Sequence, residues 1–447
     1  MARVRLNRTV VRLGLIAVLC SSVPIPLLAC PFCTAPSLTL SEQIEQAVSV
    51  KLLKLEARLA TTRDESLKPV VGRFRVIDEF TSAARTPGSQ TASKAVLPGG
   101  TQQARLAQAE TSTNQVLRLQ LAPDWQPGDL FVLLQREYSG REGDVPFPVS
   151  RSVWRYLTAM PPRSEATSDR LRFFVRYLQH PDVMIANDAY GEFANAPYED
   201  IVAMRDSLPR ARLRQWVIDS RIDRRVIETR LGLYGMLLGL CGEPSDAALL
   251  KRVIVDDWSP DADFRLGIDG MIGGYLLMTG DAGLDVIEQT KLANPDVSFT
   301  ETYAAMQALR FAWTYGDGVI NRDRLRKAMR LLLNCPDLTD LVIADLARWK
   351  DWELQPRLMQ MYDEDAYQVP AIKRAIVRFM LVSSRPEKSK RSVSADSKTQ
   401  RSENLSPSSD SALATSRHVE QARSYLAVLR ARDPKIVADC ERYFLLK

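Results

Sequence analysis

Two cysteines standing three positions apart pose the first chemical question. In "LLACPFCTAPS", Leu27 to Ser37, the residues Cys30-Pro31-Phe32-Cys33 form a Cys-x-x-Cys motif. Such a pair can close a small disulfide ring. At the start of a helix it can also lower a thiol pKa and exchange electrons. Redox proteins that use it set it between a strand and a helix of a βαβ framework, and no strand pattern precedes Cys30. A structural disulfide is therefore the plainer expectation.

Carboxylates offer a second chemistry. Asp188 and Glu192, in "NDAYGEFANAPYED", lie one helical turn apart and could share a cation or a proton. In "DLARWKDW", Asp345, Arg348 and Asp351 stand beside Trp349 and Trp352. The bland expectation there is a surface i, i+3 pair of Asp345 with Arg348, and tryptophans packed between helices. The chain has two histidines, His180 and His418, both in helical context, and Cys241, Cys335 and Cys440 are scattered singly. Structural zinc needs a denser set of ligands, so no metal and no cofactor is expected. Walker loops, Gly-x-Ser-x-Gly elbows and His-Glu-x-x-His helices are missing from the sequence. With so little histidine, most general-base schemes lack a player, and no catalytic residue is assigned.

The elements that would position these residues change character along the chain. From Ala47 to about Tyr138 the hydrophobic period is two. Val48, Val50 and Leu52 alternate with polar neighbours, then the phase shifts to Leu53 and Leu55, as a bulge allows. Phe74 and Val76, then Leu117, Leu119 and Leu121, then Leu130 to Leu134 supply further strands. Four or five such strands suffice for a small barrel or sandwich. The polar stretch 82–114 reads as a mobile loop within it.

After Pro161 the period becomes helical, with Leu171, Phe174, Val175 and Leu178 on one face and Leu325, Ala328, Met329 and Leu332 on another. Apolar helices join amphipathic ones through breaks near Gly242, Gly280, Gly316 and Lys350, about 34–38 residues apart. That spacing suits HEAT-like helical hairpins stacked as a solenoid, with an irregular bundle as the alternative. The segment 386–416 alternates serine with both charges and reads as a disordered linker. Two helices then follow, in 417–447.

Residues 1–29 read as a signal peptide. Arg3, Arg5, Arg8 and Arg12 lead into the apolar run Leu13 to Cys20, and Pro24 and Pro26 precede Leu27-Leu28-Ala29. The run is too short and too interrupted for a stable span. The formal charge is +6; those four arginines supply +4 and no acidic residue precedes Cys30, which leaves +2 from Cys30 onward. Near-neutrality argues against nucleic acid as a partner. A hydrophobic fraction of 45% and a charged fraction of 26% fit an ordinary folded chain, long enough for more than one domain.

Three resemblances add to this reading. "LLAC" resembles the lipobox of bacterial lipoproteins, which implies acylation of Cys30 as the alternative to its disulfide. Cys30 and Cys33 followed by "SEQIEQAVSVKLLKLEA" and a small β domain resemble the netrin and tissue-inhibitor-of-metalloproteinase module, which implies an OB-type barrel. The spacing differs from that module's Cys-x-Cys and its downstream cysteines are missing, so its zinc-chelating inhibition is not carried over. The whole arrangement resembles a set of uncharacterised secreted bacterial proteins known from planctomycetes, with "CPFC" after the signal and helical repeats behind.

The expectation is an α+β multidomain protein. It has a signal peptide at 1–29, an OB-like β-barrel at 30–150, HEAT-like repeats at 151–385, the linker 386–416 and closing helices at 417–447. It is expected to be exported to the periplasm, cell envelope or exterior, touching membrane only through a lipid on Cys30. It is expected to act as a non-enzymatic protein-binding or scaffold protein with a protein or peptide partner. The rivals are an envelope thiol-disulfide oxidoreductase using Cys30 and Cys33, and a hydrolase with a carboxylate site at Asp188 and Glu192.

Overall fold

A computed structural model describes residues 30–33, 38–59, 70–81, 114–136, 145–220, 230–256, 265–386 and 409–445. The expected signal peptide, the loop residues 82–113 and linker residues 387–408 lie outside the described residues. The chain divides into two compact units, up to Pro209 and from Arg210 onward.

The first unit begins with a short helix, α1 (Leu40–Glu45). Its start is fixed by Thr39, whose side chain accepts from the Glu42 N–H while the Glu42 carboxylate accepts from the Thr39 N–H. Five antiparallel strands follow: β1 (Ser49–Leu59), β2 (Val71–Thr81), β3 (Val116–Gln120), β4 (Leu130–Gln135) and β5 (Phe147–Pro148). Their order is β3-β2-β1-β4-β5. The first four make a Greek key, with β4 returning to lie beside β1.

The expected phase shift between Leu52 and Leu53 is real, and its cause lies on the neighbouring strand. Leu52 pairs with Asp78 and Leu53 with Val76, so Ile77 of β2 is the extra residue. Across Leu52 and Leu53 the pleat of β1 continues, and β1 carries its own extra residue further on, Glu56, between Leu55 and Ala57. Val50 and Leu52 share a face with their partners Leu134 and Val132, and Leu53 shares the opposite face with Phe131. That second face carries the compact core of Leu53, Leu55, Phe74, Val76, Leu121, Phe131 and Leu133. There Trp125 leans on Phe131 with ring centroids 4.4 Å apart, and Phe74 meets Phe131 edge-on at 5.4 Å.

The expected barrel is corrected to an open sheet. Closure would need the edge strands β3 and β5 to pair, and neither does so. β5 is two residues long and ends in Pro148, which has no N–H to donate. The side chains of β3 are exposed or half-exposed throughout.

Among the described residues four further helices belong to this unit: α2 (Arg151–Ala159), α3 (Thr167–Phe174), α4 (Val183–Ala194) and α5 (Tyr198–Ala203). Ser150 and Asp182 cap α2 and α4 through their side-chain oxygens. The expected stripe of Leu171, Phe174, Val175 and Leu178 is wholly buried, with a 3-10 turn carrying it past the end of α3.

The second unit is helical: α6 (Arg210–Ser220), α7 (Leu231–Cys241), α8 (Pro244–Lys251), α9 (Ile268–Ile287), α10 (Phe299–Tyr315), α11 (Arg322–Leu331), α12 (Thr339–Arg348), α13 (Gln355–Met361), α14 (Pro370–Ser383), α15 (Ser409–Arg432) and α16 (Pro434–Leu445). All four expected breaks are breaks. Gly242 and Gly316 end α7 and α10, Gly280 interrupts α9 at φ +56°, and Lys350 follows α12 at φ +57°. The expected linker 386–416 is corrected at its end, because α15 already begins at Ser409.

The axis of the unit is set by an intimate contact between α7 and α9. A Cβ on Gly274 would stand 2.0 Å from the Gly235 carbonyl oxygen, and one on Gly239 would stand 2.4 Å from the Gly274 Cα. Only residues without side chains allow the two backbones to approach so closely. Among the described residues no helix is long and apolar enough to cross a membrane.

Candidate functional site

The Cys-x-x-Cys pair is oxidised, with a bond between the Sγ atoms of Cys30 and Cys33. The ring closes over a turn in which the Cys33 N–H donates to the Cys30 carbonyl at 3.3 Å. The Cys30 N–H donates in turn to the carbonyl of Ala194, the last residue of α4, at 3.2 Å. Cys30 is buried at 4% exposure. An attacking thiol must meet its substrate, so burial of this sulfur is the wrong geometry for exchange. A lipid thioether would use the same sulfur atom, which makes the lipid and the disulfide exclusive fates for any one chain.

Asp188 and Glu192 do lie on one face of α4, both buried. Each has its own partners. The Leu40 N–H donates to Asp188 Oδ1 at 2.6 Å, and the Tyr156 hydroxyl donates to Oδ2 at 2.7 Å. The Ser41 hydroxyl donates to Glu192 Oε1, and Arg170 donates to Oε2 at 2.7 Å and to Ser41 at 2.9 Å. The Arg170–Glu192 pair is itself buried, at 6% and 4% side-chain exposure. Closer to solvent, Arg163 pairs with Glu42 at 3.4 Å and with Glu45 at 2.9 Å.

These contacts make one polar latch. It fastens the first turn of α1 onto α4, with α2 supplying Tyr156 and α3 supplying Arg170. Burial pushes the Asp188 carboxyl up to about 7, against the opposing pull of the Leu40 and Tyr156 hydrogen bonds. Burial and the neighbouring Asp188 carboxylate raise the Tyr156 phenol in the same way. A carboxyl poised near neutrality can exchange a proton, and a hollow of about 400 Å³ opens beside it, lined by Leu38, Gln43, Val183 and Met184 among others. Both Asp188 oxygens are nonetheless occupied by donors from the fold itself. Among the described residues no three His, Cys, Asp or Glu side chains gather as a metal site would require.

Asp345 and Arg348 are bonded, yet the expected surface pair is corrected to a buried junction. Asp345 is 2% exposed and accepts from Arg310 Nε at 2.6 Å as well as from Arg348 at 2.7 Å. Arg310 belongs to α10, so the carboxylate ties two successive hairpins. The tryptophans pack as expected. Trp349 stacks on Trp313 with centroids 4.4 Å apart and planes within 8°, while Trp352 lies edge-on to Phe379 and stacks on His418. His180 sits in the turn before α4, where its Nδ1 accepts from the Asp182 N–H.

The Arg310–Asp345 bond has counterparts that no local motif announced. Arg210 bonds Asp246 at 2.6 Å and Arg265 bonds Glu301 at 2.7 Å, each pair 36 residues apart, against 35 for Arg310 and Asp345. Arg324 pairs with Glu288, again across 36 residues. All three of Asp246, Glu301 and Asp345 are buried. Burial alone would raise the Asp246 carboxyl, but the Glu243 N–H, Arg210 and Arg214 together hold it below its ordinary value. No local motif marks these pairs, because each joins residues 35 or 36 positions apart.

A wider groove runs along the outer faces of α12 and α14. It has a volume of about 860 Å³ and is walled by Ala344 and Ala347 on one side, by Ala371 and Ala375 on the other, and by Arg348, Arg374 and Arg378. Cys440 of α16 lines its floor. No family model, curated protein or solved structure matches this chain.

Proposed function

We propose that the chain is an exported, non-enzymatic binding or scaffold protein whose helical unit takes hold of a protein or peptide partner. In this reading the hairpins from Arg210 onward stack as a HEAT-like solenoid and offer an extended surface built of many shallow positions. The observation that carries it is the series of buried ion pairs at a constant separation of 35–36 residues. Each bond ties a carboxylate to an arginine 35–36 residues earlier, a span close to that between the helix breaks, as contacts between neighbouring helix pairs would. Binding fits such a surface better than turnover, because the Asp188 and Glu192 carboxylates of the first unit are spent on holding α1. The chain is read as cut before Cys30, with that residue oxidised or acylated.

The test is crosslinking of the full-length protein in its native envelope, with the crosslinked residues mapped. Crosslinks to a partner concentrated beyond Arg210 support the reading. Crosslinks confined to residues before Pro209, or none, remove it. A measurable turnover lost in Asp188→Asn with the fold intact would put a carboxylate enzyme in its place.

A further inference from the structure

We infer that the groove between α12 and α14 is the docking site for an acidic peptide segment of another protein. This rests on the binding role proposed above and names the chemistry of its partner.

The two walls are continuous helix faces. On α12 the lining positions 340, 341, 344, 347 and 348, and on α14 the positions 371, 374, 375, 378, 379 and 382, recur at helical spacing. At a rise of about 1.5 Å per residue the trough is roughly 12–16 Å long. That length holds about four or five residues of extended chain at ~3.3 Å each. Alanines lower the walls at four positions, so a peptide backbone can approach both helices. Leu341 and Val382 stand exposed at 38% and 37% and can take apolar side chains of the guest.

The charges select the guest's sign. Arg374 and Arg378 are exposed, and among the described residues no carboxylate lies within ion-pair distance of either. Both act on the Cys440 thiol that lines the groove, where Asp439 acts with the opposite sign, two guanidinium groups against one carboxylate. Most other arginines of the unit that the structure describes are committed, as Arg310, Arg324, Arg330 and Arg357 are, to named carboxylates. The one acid of the groove, Asp340, is turned to its own helix, where it accepts from the Leu341 N–H. Arg374 and Arg378 stand about 6 Å apart along α14, close to the spacing of alternate side chains on one face of an extended chain. Acidic residues at every second position, with apolar ones between, therefore match the site.

Two other occupants fit less well. The chain's own segment 387–408 carries five Lys and Arg against three Asp and Glu, and a second copy read from Cys30 onward is near-neutral at +2. Neither brings the acidic charge that the arginines select.

The experiment uses the full-length protein and a rhodamine-labelled octapeptide of alternating glutamate and leucine, followed by fluorescence anisotropy. Saturable binding that weakens with salt is expected, with none for the same peptide carrying lysine in place of glutamate. The double variant Arg374→Glu/Arg378→Glu should weaken binding about tenfold or more. Both positions are exposed, so circular dichroism should be unchanged. Arg374→Lys/Arg378→Lys should stay within about threefold, since the charge persists. Equal binding by the Glu double variant, equal binding of the lysine peptide, or no binding at all overturns the inference. The crosslinking separates this failure from that of the broader reading. A partner still held beyond Arg210 by the Glu double variant leaves the binding role standing and removes only this groove.

Discussion

The main-chain N–H of Leu40 donates to the Asp188 carboxylate at 2.6 Å, joining residues 148 positions apart. Asp188 thereby fastens the first turn of α1 to α4. Because burial lifts its carboxyl from 3.8 to about 7, the folded protein keeps a proton that the unfolded chain has already released. Stability from this group is therefore fully present below about pH 4 and is lost as pH rises toward 7, by at most ~1.4 kcal/mol per pH unit. The groups facing it are Tyr156, Glu192 and Arg170, of which Tyr156 and Arg170 oppose the shift and Glu192 adds to it. Urea titrations at about pH 5 and pH 8, read by hydrogen-exchange pulses on α1, should show the loss. Asp188→Asn should flatten the pH dependence; an unchanged slope would rule out this origin.

The second unit should respond to pH with the opposite sign. Glu301 accepts from Arg265 at 2.7 Å through both oxygens and from Lys291 at 2.7 Å, and Lys291 is 1% exposed. Burial would raise the Glu301 carboxyl, but Arg265 and Lys291 outweigh it and hold the group below its ordinary value. Burial draws the Lys291 ammonium down. A depressed carboxyl contributes stability above its ordinary pKa and loses it as pH falls. Acid should therefore weaken this unit while it strengthens the latch of the first. Glu301→Gln leaves Lys291 buried beside an arginine and should cost about 3–5 kcal/mol. Denaturant midpoints that move by less than a fifth of that would show the triad to be unimportant.

How much of this was legible in advance depended on how local each signal was. Val50, Leu52, Phe74 and Val76 are buried where alternation put them, and Gly242, Gly280, Gly316 and Lys350 break helices where the breaks were expected. Those signals lie within a few residues of what they determine. Sheet closure depends on whether two strands far apart in sequence meet, and a strand as short as Phe147–Pro148 gives no warning that it cannot. The partners of Asp188 and Glu192 come from Leu40, Ser41, Tyr156 and Arg170, on three other helices, so spacing on one helix suggested a shared site where the fold makes two separate contacts. Asp345 looked like a surface residue because Arg348 stands one turn away; burial came from Arg310, 35 residues earlier.

The glycines of α7 and α9 make a sharper test of packing. Alanine is the better helix former by about 1 kcal/mol, so Gly274→Ala would stabilise an isolated helix. Here its Cβ would meet the Gly235 carbonyl oxygen at 2.0 Å, a backbone atom that cannot swing aside. The two helices would have to separate along their whole contact. A net loss of about 1–3 kcal/mol is expected, and Gly274→Val should lose more. Thermal unfolding followed by circular dichroism reads it directly. A stabilised Gly274→Ala would mean that α7 and α9 do not touch.

The disulfide separates the structural reading of Cys30 and Cys33 from the oxidoreductase rival. Closing so short a ring restricts the unfolded chain only modestly, so Cys33→Ser should cost roughly 2 kcal/mol, felt in the first unit. The Cys30 N–H would keep its bond to the Ala194 carbonyl, so the chain should stay docked on α4 while its end frays. Exchange chemistry needs an accessible sulfur, and Cys30 is 4% exposed. The oxidised protein should therefore leave insulin unreduced in the presence of dithiothreitol beyond the uncatalysed rate. Dithiothreitol alone should lower the first unit's denaturant midpoint to that of Cys33→Ser. Catalysed insulin reduction that vanishes in Cys33→Ser would assign the pair to electron exchange, with the half-exposed Cys33 as the sulfur open to attack.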